Sequence, residues 1–395
     1  MAIKIYKSSD QGAPSLYGQA GQMITFLDAV LQNGYGSVNV SSITRSGATA
    51  TVTTATPHGL STGDSATIGG AAQTDYNIDA VVTVLTTTTF TYDVANSPTT
   101  PATGTITAKR SPVGFTKAFT GANKAVYRCN DLSSNRHYLR VLDDGGGTGG
   151  AQEARIFGYE TMTDVDTGTN VFPTAAQSTY GYLWRKSNAT NSVPKTWIVI
   201  SDGKFIYLMV QHANTGLTMS NTHENHGGLF GDIVSYKPGD VWATMLTGNC
   251  SQDSTSYSAN GTMASQAYIN APSSFTSGSI VLARNYTAVA GAQYVGLYGS
   301  GLSSGCLGGT AAISYPHAID NGFYLVPVAV TQANPSAIRG RLPGAYECLH
   351  GRVLNNLDII DNVQGLPGRK FMCLYGSASS TSGCLMIDIT GPWDS

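Results

Sequence analysis

His223 and His226 stand three residues apart in the stretch Ser220-Asn-Thr-His-Glu-Asn-His-Gly-Gly228. Imidazoles at that spacing share one face of a helix, and with a further ligand such as Asp232 they make a candidate metal site. The Ser, Asn and Gly around them read as loop, however, and a surface loop is the stronger reading. Gly301-Leu-Ser-Ser-Gly305 matches the G-x-S-x-G nucleophile elbow with Ser303 as nucleophile. That elbow needs a strand before it and a helix after it, so that the serine oxygen stands exposed beside an oxyanion hole. Residues 294–298 supply a strand, but Cys306-Leu-Gly-Gly-Thr310 starts a helix poorly, and a chain rich in Gly and Ser produces such matches by chance.

The remaining motifs are weaker. Gly145-Gly-Gly-Thr-Gly-Gly150 contains G-x-G-x-x-G, yet the residues after it alternate like a strand, whereas a dinucleotide site requires a helix there. Asp164-Val-Asp-Thr-Gly-Thr-Asn170 has the oxygen spacing of a calcium loop, but residue 175 is Ala where an EF-hand needs Glu, and an Asx-turn explains it equally well. Asp143-Asp144 are paired carboxylates with no identifiable second pair across a groove. The six cysteines form no C-x-x-C pair, so no zinc ribbon is expected. Cys373 and Cys384 flank a predicted hairpin and could lie across from each other, although free thiols are expected. No catalytic residue and no cofactor is predicted.

Composition narrows the function classes. Lys and Arg number 22 and Asp and Glu 24 in 395 residues, a net charge of -2 and a charged fraction of 12%. Soluble domains usually reach about 25%. Without a basic cluster there is no electrostatic footprint for nucleic acid. No apolar run approaches the roughly 20 residues that a bilayer helix requires, and the start Met1-Ala-Ile-Lys-Ile-Tyr-Lys7 lacks a signal peptide's apolar stretch, so folding in the cytoplasm is expected. With 41% hydrophobic residues, 21 Tyr and 11 Phe the chain has ample core material. An exterior of Ser, Thr, Asn, Gly and Tyr suits coverage by neighbouring subunits, because interfaces favour Tyr and shed charge.

The elements that must position these groups are almost all strands. One helix is predicted over residues 19–32, where Met23, Ile24, Leu27, Val30 and Leu31 form a single apolar stripe ended by Asn33-Gly34. Residues 39–110 are dominated by alternating Thr-rich runs and predict a small all-β module of five or six strands, inserted into a body made of residues 1–38 and 111–395. In the body, Trp197-Ile-Val-Ile200 and Phe205-Ile-Tyr-Leu-Met-Val210 flank Ser201-Asp-Gly-Lys204, a hairpin signal. Residues 248–280 read as a long polar loop or arm. The fold class is therefore mainly β: a large antiparallel sheet or sandwich body, one N-terminal helix and a small inserted all-β module.

Two resemblances follow. Thr56-Pro-His-Gly-Leu-Ser-Thr-Gly-Asp64, then Tyr76-Asn77 and Thr89-Phe-Thr-Tyr92, resemble the small β-barrel module first described as a half-domain of ubiquitin-activating enzymes. That module recurs as a spacer in tailed-bacteriophage structural proteins, so the resemblance implies a fold and a setting and no ubiquitin chemistry. Gln11-Gly-Ala-Pro-Ser-Leu16, Ala125-Val-Tyr-Arg128, Gly158-Tyr-Glu-Thr-Met162, Arg339-Gly-Arg-Leu-Pro-Gly344 and Asp388-Ile-Thr-Gly-Pro-Trp393 resemble a family of tailed-phage virion structural proteins along nearly the whole chain. The resemblance implies a non-enzymatic, oligomeric accessory protein of the head or neck (decoration, collar or short fibre), located in the virion and assembled in the host cytoplasm. Its partners would be other virion proteins and copies of itself, with neither nucleic acid nor membrane. The alternatives are a tail, baseplate or host-recognition component binding surface glycan, and a virion-associated hydrolase built on Ser303 or on His223 and His226.

Overall fold

The runs from Trp197 and Phe205 form the antiparallel strands Thr196–Ser201 and Phe205–Gln211, joined at Asp202-Gly203 as predicted. Asp202 accepts the Lys204 and Phe205 amides, and Gly203 takes the positive φ of the turn. Successive side chains of a strand face opposite ways. Here Trp197, Val199, Ile206, Leu208 and Val210 enter one core, while Ile198, Ile200, Phe205, Tyr207 and Met209 enter another. Burial on both faces is why these strands read as unbroken apolar runs.

The structure, a computed structural model, describes residues 2–146, 150–223, 225–249, 280–298, 313–333, 335–350, 353–375 and 384–393. It is mainly β and contains sheets of thirteen, six and seven strands. In the large sheet, strand Lys4–Lys7 pairs with Thr196–Ser201, and the order continues through Phe205–Gln211, His226–Asp232, Thr244–Thr247, Ile280–Leu282, Gln293–Tyr298, Leu325–Ala333, Ser336–Cys348, Cys384–Asp388 and Phe371–Tyr375 to Ile359–Ile360. Residues from its two halves, Ile198 and Tyr207 from one and Val330, Met372 and Ile387 from the other, share one core, so the sheet folds over on itself. The six-stranded sheet (Phe115–Gly121 to Tyr182–Arg185) and the N-terminal helix cover the opposite face.

The helix is shorter than predicted. An α-helix spans Gln22–Leu27 and continues as a π-helix over Asp28–Asn33, with all five stripe residues buried and Gly34 at positive φ ending it. It starts at residue 22 because the cap is supplied from elsewhere in the fold: Asp143 Oδ2 accepts the Met23 amide at 2.6 Å.

The seven-stranded sheet lies wholly within residues 35–110 and has its own core, including Ile43, Val52, Ile68, Tyr76, Phe90 and Ile106. Its two edge strands, Asp79–Val81 and Thr83–Thr86, are separated only by Val82, so the sheet is a nearly closed barrel. Seven strands replace the five or six expected, and the first, Tyr35–Ser46, crosses the expected boundary at residue 38. The motif residues act as keystones here. His58 accepts the Leu60 amide on Nδ1, which directs its Nε2 proton to the Thr86 carbonyl. The Asn77 amide clamps both backbone groups of Ala71, and Tyr92 donates to the Tyr76 carbonyl.

Strand Ser336–Cys348 was not foreseen, because Pro343 and Gly344 interrupt its pattern. They sit where the register against Leu325–Ala333 shifts. Gly344 has φ +63, and a Cβ there would lie 2.2 Å from Trp393 Nε1. Residues 339–344 and 388–393, distant in sequence, thus meet.

Candidate functional site

The imidazoles and the aspartate of the candidate metal site, for which a surface loop is the stronger reading, are not brought together. His226 opens strand His226–Asp232 and Asp232 closes it, about 20 Å away at the rise of an extended strand. Asp232 instead accepts the Asn135 amide and the Thr244 hydroxyl, each at 2.6 Å. The His223 ring meets the neighbouring Thr222 hydroxyl in a loop. Among the described residues no group of three His, Cys, Asp or Glu is placed to hold a metal ion. His226 packs edge-to-face on His212 with ring centroids 4.0 Å apart, a pairing that the sequence spacing did not signal. Burial pushes His212 down to about 3 and His226 well below its usual value, and Arg185 adds to both effects.

The other chemical motifs are absorbed into structure. Asp143 caps the helix and faces Lys186. Asp144 accepts the Gly146 amide and pairs with Arg155, and strand Glu153–Met162 follows the glycine-rich loop. Asp164 makes the Asx-turn to Asp166 and Thr167, while Asp166 is held by Lys124 and Arg140 rather than open to a cation. Cys373 pairs with Met386 in register and Cys384 with Tyr375, so the two cysteines do not lie across from each other, and Cys129 and Cys373 carry free thiols. Ser303 and its elbow, Glu224 and most of residues 248–280 lie outside the described residues.

A cluster that the motif search missed is built by three segments. The chain between Asp232 and Thr244 forms a two-residue strand, Val234–Ser235, against Gly340 and Arg341. Gly340 permits this approach, since a Cβ there would lie 2.2 Å from the Val234 carbonyl oxygen. The turn that follows presents Lys237, Asp240 and Trp242, while residues 284–289 bring Arg284 and Tyr286 alongside.

Asp240 receives Arg339 Nε at 2.5 Å and Nη2 at 2.7 Å with both side chains fully buried, and the Ser235 hydroxyl completes its shell. The remaining Arg339 nitrogen donates to Gln332 and to the Arg284 carbonyl. Arg284 forks onto Glu160 at 2.5 and 2.6 Å, and this contact holds the carboxyl below its usual range against the opposing effect of burial. Bidentate pairing of this kind fixes orientation as well as charge.

These cations also pack on rings. The Arg284 guanidinium lies 4.9 Å from the Trp242 centroid, Arg339 lies 5.7 Å from Tyr286, and Lys237 Nζ lies 5.2 Å from Tyr286 while donating to its carbonyl. Cation–π contacts stabilise such stacks by about 0.5–2 kcal/mol each. The half-buried rings are therefore held rigid by the protein's own cations. Around them Tyr236 (59%), Val241, Val289 (61%) and Ile338 (58%) turn apolar surface to solvent. A stiff Trp/Tyr/Arg platform with an apolar fringe has the make-up of an interaction hot spot.

No family model matches the chain, and comparison with curated proteins finds no relative.

Proposed function

We propose that the chain is a non-enzymatic structural component of a tailed-bacteriophage virion, an oligomeric accessory protein of the head or neck that assembles in the host cytoplasm. The observation that carries this reading is the Arg339–Asp240 and Arg284–Glu160 platform. Its two arginines are neutralised by carboxylates behind an aromatic surface, while Tyr236, Val241, Val289 and Ile338 turn apolar surface to solvent around it. Such a surface suits contact with other proteins, where desolvation of ions opposes burial. In the same reading, residues 39–110 form an inserted spacer module that carries its own core and stands on the body. Arg110, paired with Asp10 and Asp64, forms its joint. The fit to proteins is better than to surface glycan, because Arg284 and Lys237 already pack on Trp242 and Tyr286, where a sugar would compete with them.

The test is addition of purified chain to particles assembled without it. Saturable uptake, lost on Trp242→Ala, is the expected result. A chain that stays in the supernatant, or one that turns over a substrate as a free monomer, would refute the reading.

A further inference from the structure

The apolar fringe has a counterpart at the other end of the same strands. Residues 313–324 pack against the far end of strand Ser336–Cys348: the Ile313 amide donates to the Leu349 carbonyl, and the Tyr324 amide to His350 Nε2. At the tip of this loop Ile319 is 89% exposed, the most exposed large apolar side chain among the described residues. Beside it stands Asp320, whose carboxylate accepts Tyr324 Oη, the Gly322 amide and His317 Nδ1. These donors hold Asp320 down to about 2, so the loop tip is a fixed apolar knob carrying a permanent negative charge.

The platform has the opposite character. Arg284 and Arg339 are each neutralised by a forked carboxylate, whereas the Lys237 ammonium, among the described residues, meets a backbone carbonyl and ring faces. Among the described residues no carboxylate pairs with it beside Tyr236, Val241 and Ile338, and a partner that covers it would bring an acid to offset its desolvation. Leu325 pairs with Cys348 at the knob end and Thr331 with Ile338 at the platform end, a separation of about 20 Å along the strand. Knob and platform therefore lie toward opposite ends of these strands as separate surfaces of one chain.

We propose that copies of this chain associate head to tail, the Ile319–Asp320 knob of one docking on the Lys237–Tyr236–Ile338 face of the next. Two different surfaces in contact make a heterologous interface, which closes into a ring or propagates as a filament. The inference deepens the proposed function by naming its first partner, and it rests on that reading only in expecting repeated copies.

Sedimentation velocity on the purified full chain tests it, together with Ile319→Glu and Ile338→Glu made singly. Both side chains project into solvent, so folding is preserved, which circular dichroism verifies. The parent chain is expected to associate with rising concentration and to dissociate as salt is raised. Each variant alone is expected to be monomeric. A one-to-one mixture of the variants should form a heterodimer that grows no further, because each retains one sound surface. A monomeric parent overturns the inference, and so does an oligomeric parent whose state neither variant changes. In that last case the structural-component reading stands, since the particle-uptake assay decides it separately.

Discussion

Lys186 and Asp143 meet as a direct ion pair in which neither side chain reaches solvent. The same carboxylate accepts the Met23 amide, and the same ammonium donates to the Gln19 carbonyl, so the pair ties the helix start to two strands. Burial raises Asp143 to about 6 and lowers Lys186, in each case against the pull of its partner. Desolvation thus outweighs attraction, and the pair specifies the helix position more than it adds net stability.

Breaking that pair on one side strands a buried charge. Asp143→Ala is expected to cost about 3–5 kcal/mol, and the loss in the double variant with Lys186→Met should fall short of the sum of the single losses. Urea denaturation of the four chains measures this. Additive losses would contradict the coupling.

The buried His212–His226 pair is expected to make stability fall in acid. Their folded values lie below the ordinary 6.5, so the unfolded chain binds protons more tightly than the folded one. Stability is then complete above about pH 6.5 and is lost as pH falls below it, by up to about 1.4 kcal/mol per pH unit for each histidine. Melting temperatures of the parent and of His226→Asn between pH 7 and pH 4 check the sign. A weaker acid dependence in the variant is the expected outcome.

Arg339 offers a fork that lysine does not reproduce. Arg339→Lys leaves Asp240 and Gln332 short of donors in a fully buried site and is expected to destabilise by roughly 3 kcal/mol or more. The midpoint of urea denaturation reports it. A change below about 1 kcal/mol would show that the fork contributes little.

Phe90 fills the core of the seven-stranded barrel, where His58 packs against its edge. Phe90→Ala is expected to cost that barrel about 3–5 kcal/mol. Hydrogen exchange should then accelerate across residues 35–110 while strand Phe205–Gln211 keeps its protection. Uniform acceleration would show that barrel and body unfold as one unit.

Much of the secondary structure was legible because its signals are local. The apolar stripe from Met23 to Leu31 is buried, the Asp202-Gly203 turn makes its hairpin, and the Thr-rich alternation of residues 39–110 makes strands. Strand Ser336–Cys348 was hidden because Pro343 and Gly344 break the alternation at a register shift that only pairing with Leu325–Ala333 explains. The candidate site was less visible. His223, His226 and Asp232 are close in sequence, yet an extended strand carries His226 and Asp232 to its opposite ends.

Residue order alone settled what period-two and helical spacing can express: a β protein poor in charge, one N-terminal helix, and a hairpin at a glycine turn. Tertiary structure chose the companions. Arg339 finds Asp240 at a separation of 99 positions, and Lys186 finds Asp143 at 43. Nothing local dictates either pair, because a buried ion's partner is set by which strands the whole core brings side by side, and that is decided only when apolar faces close together.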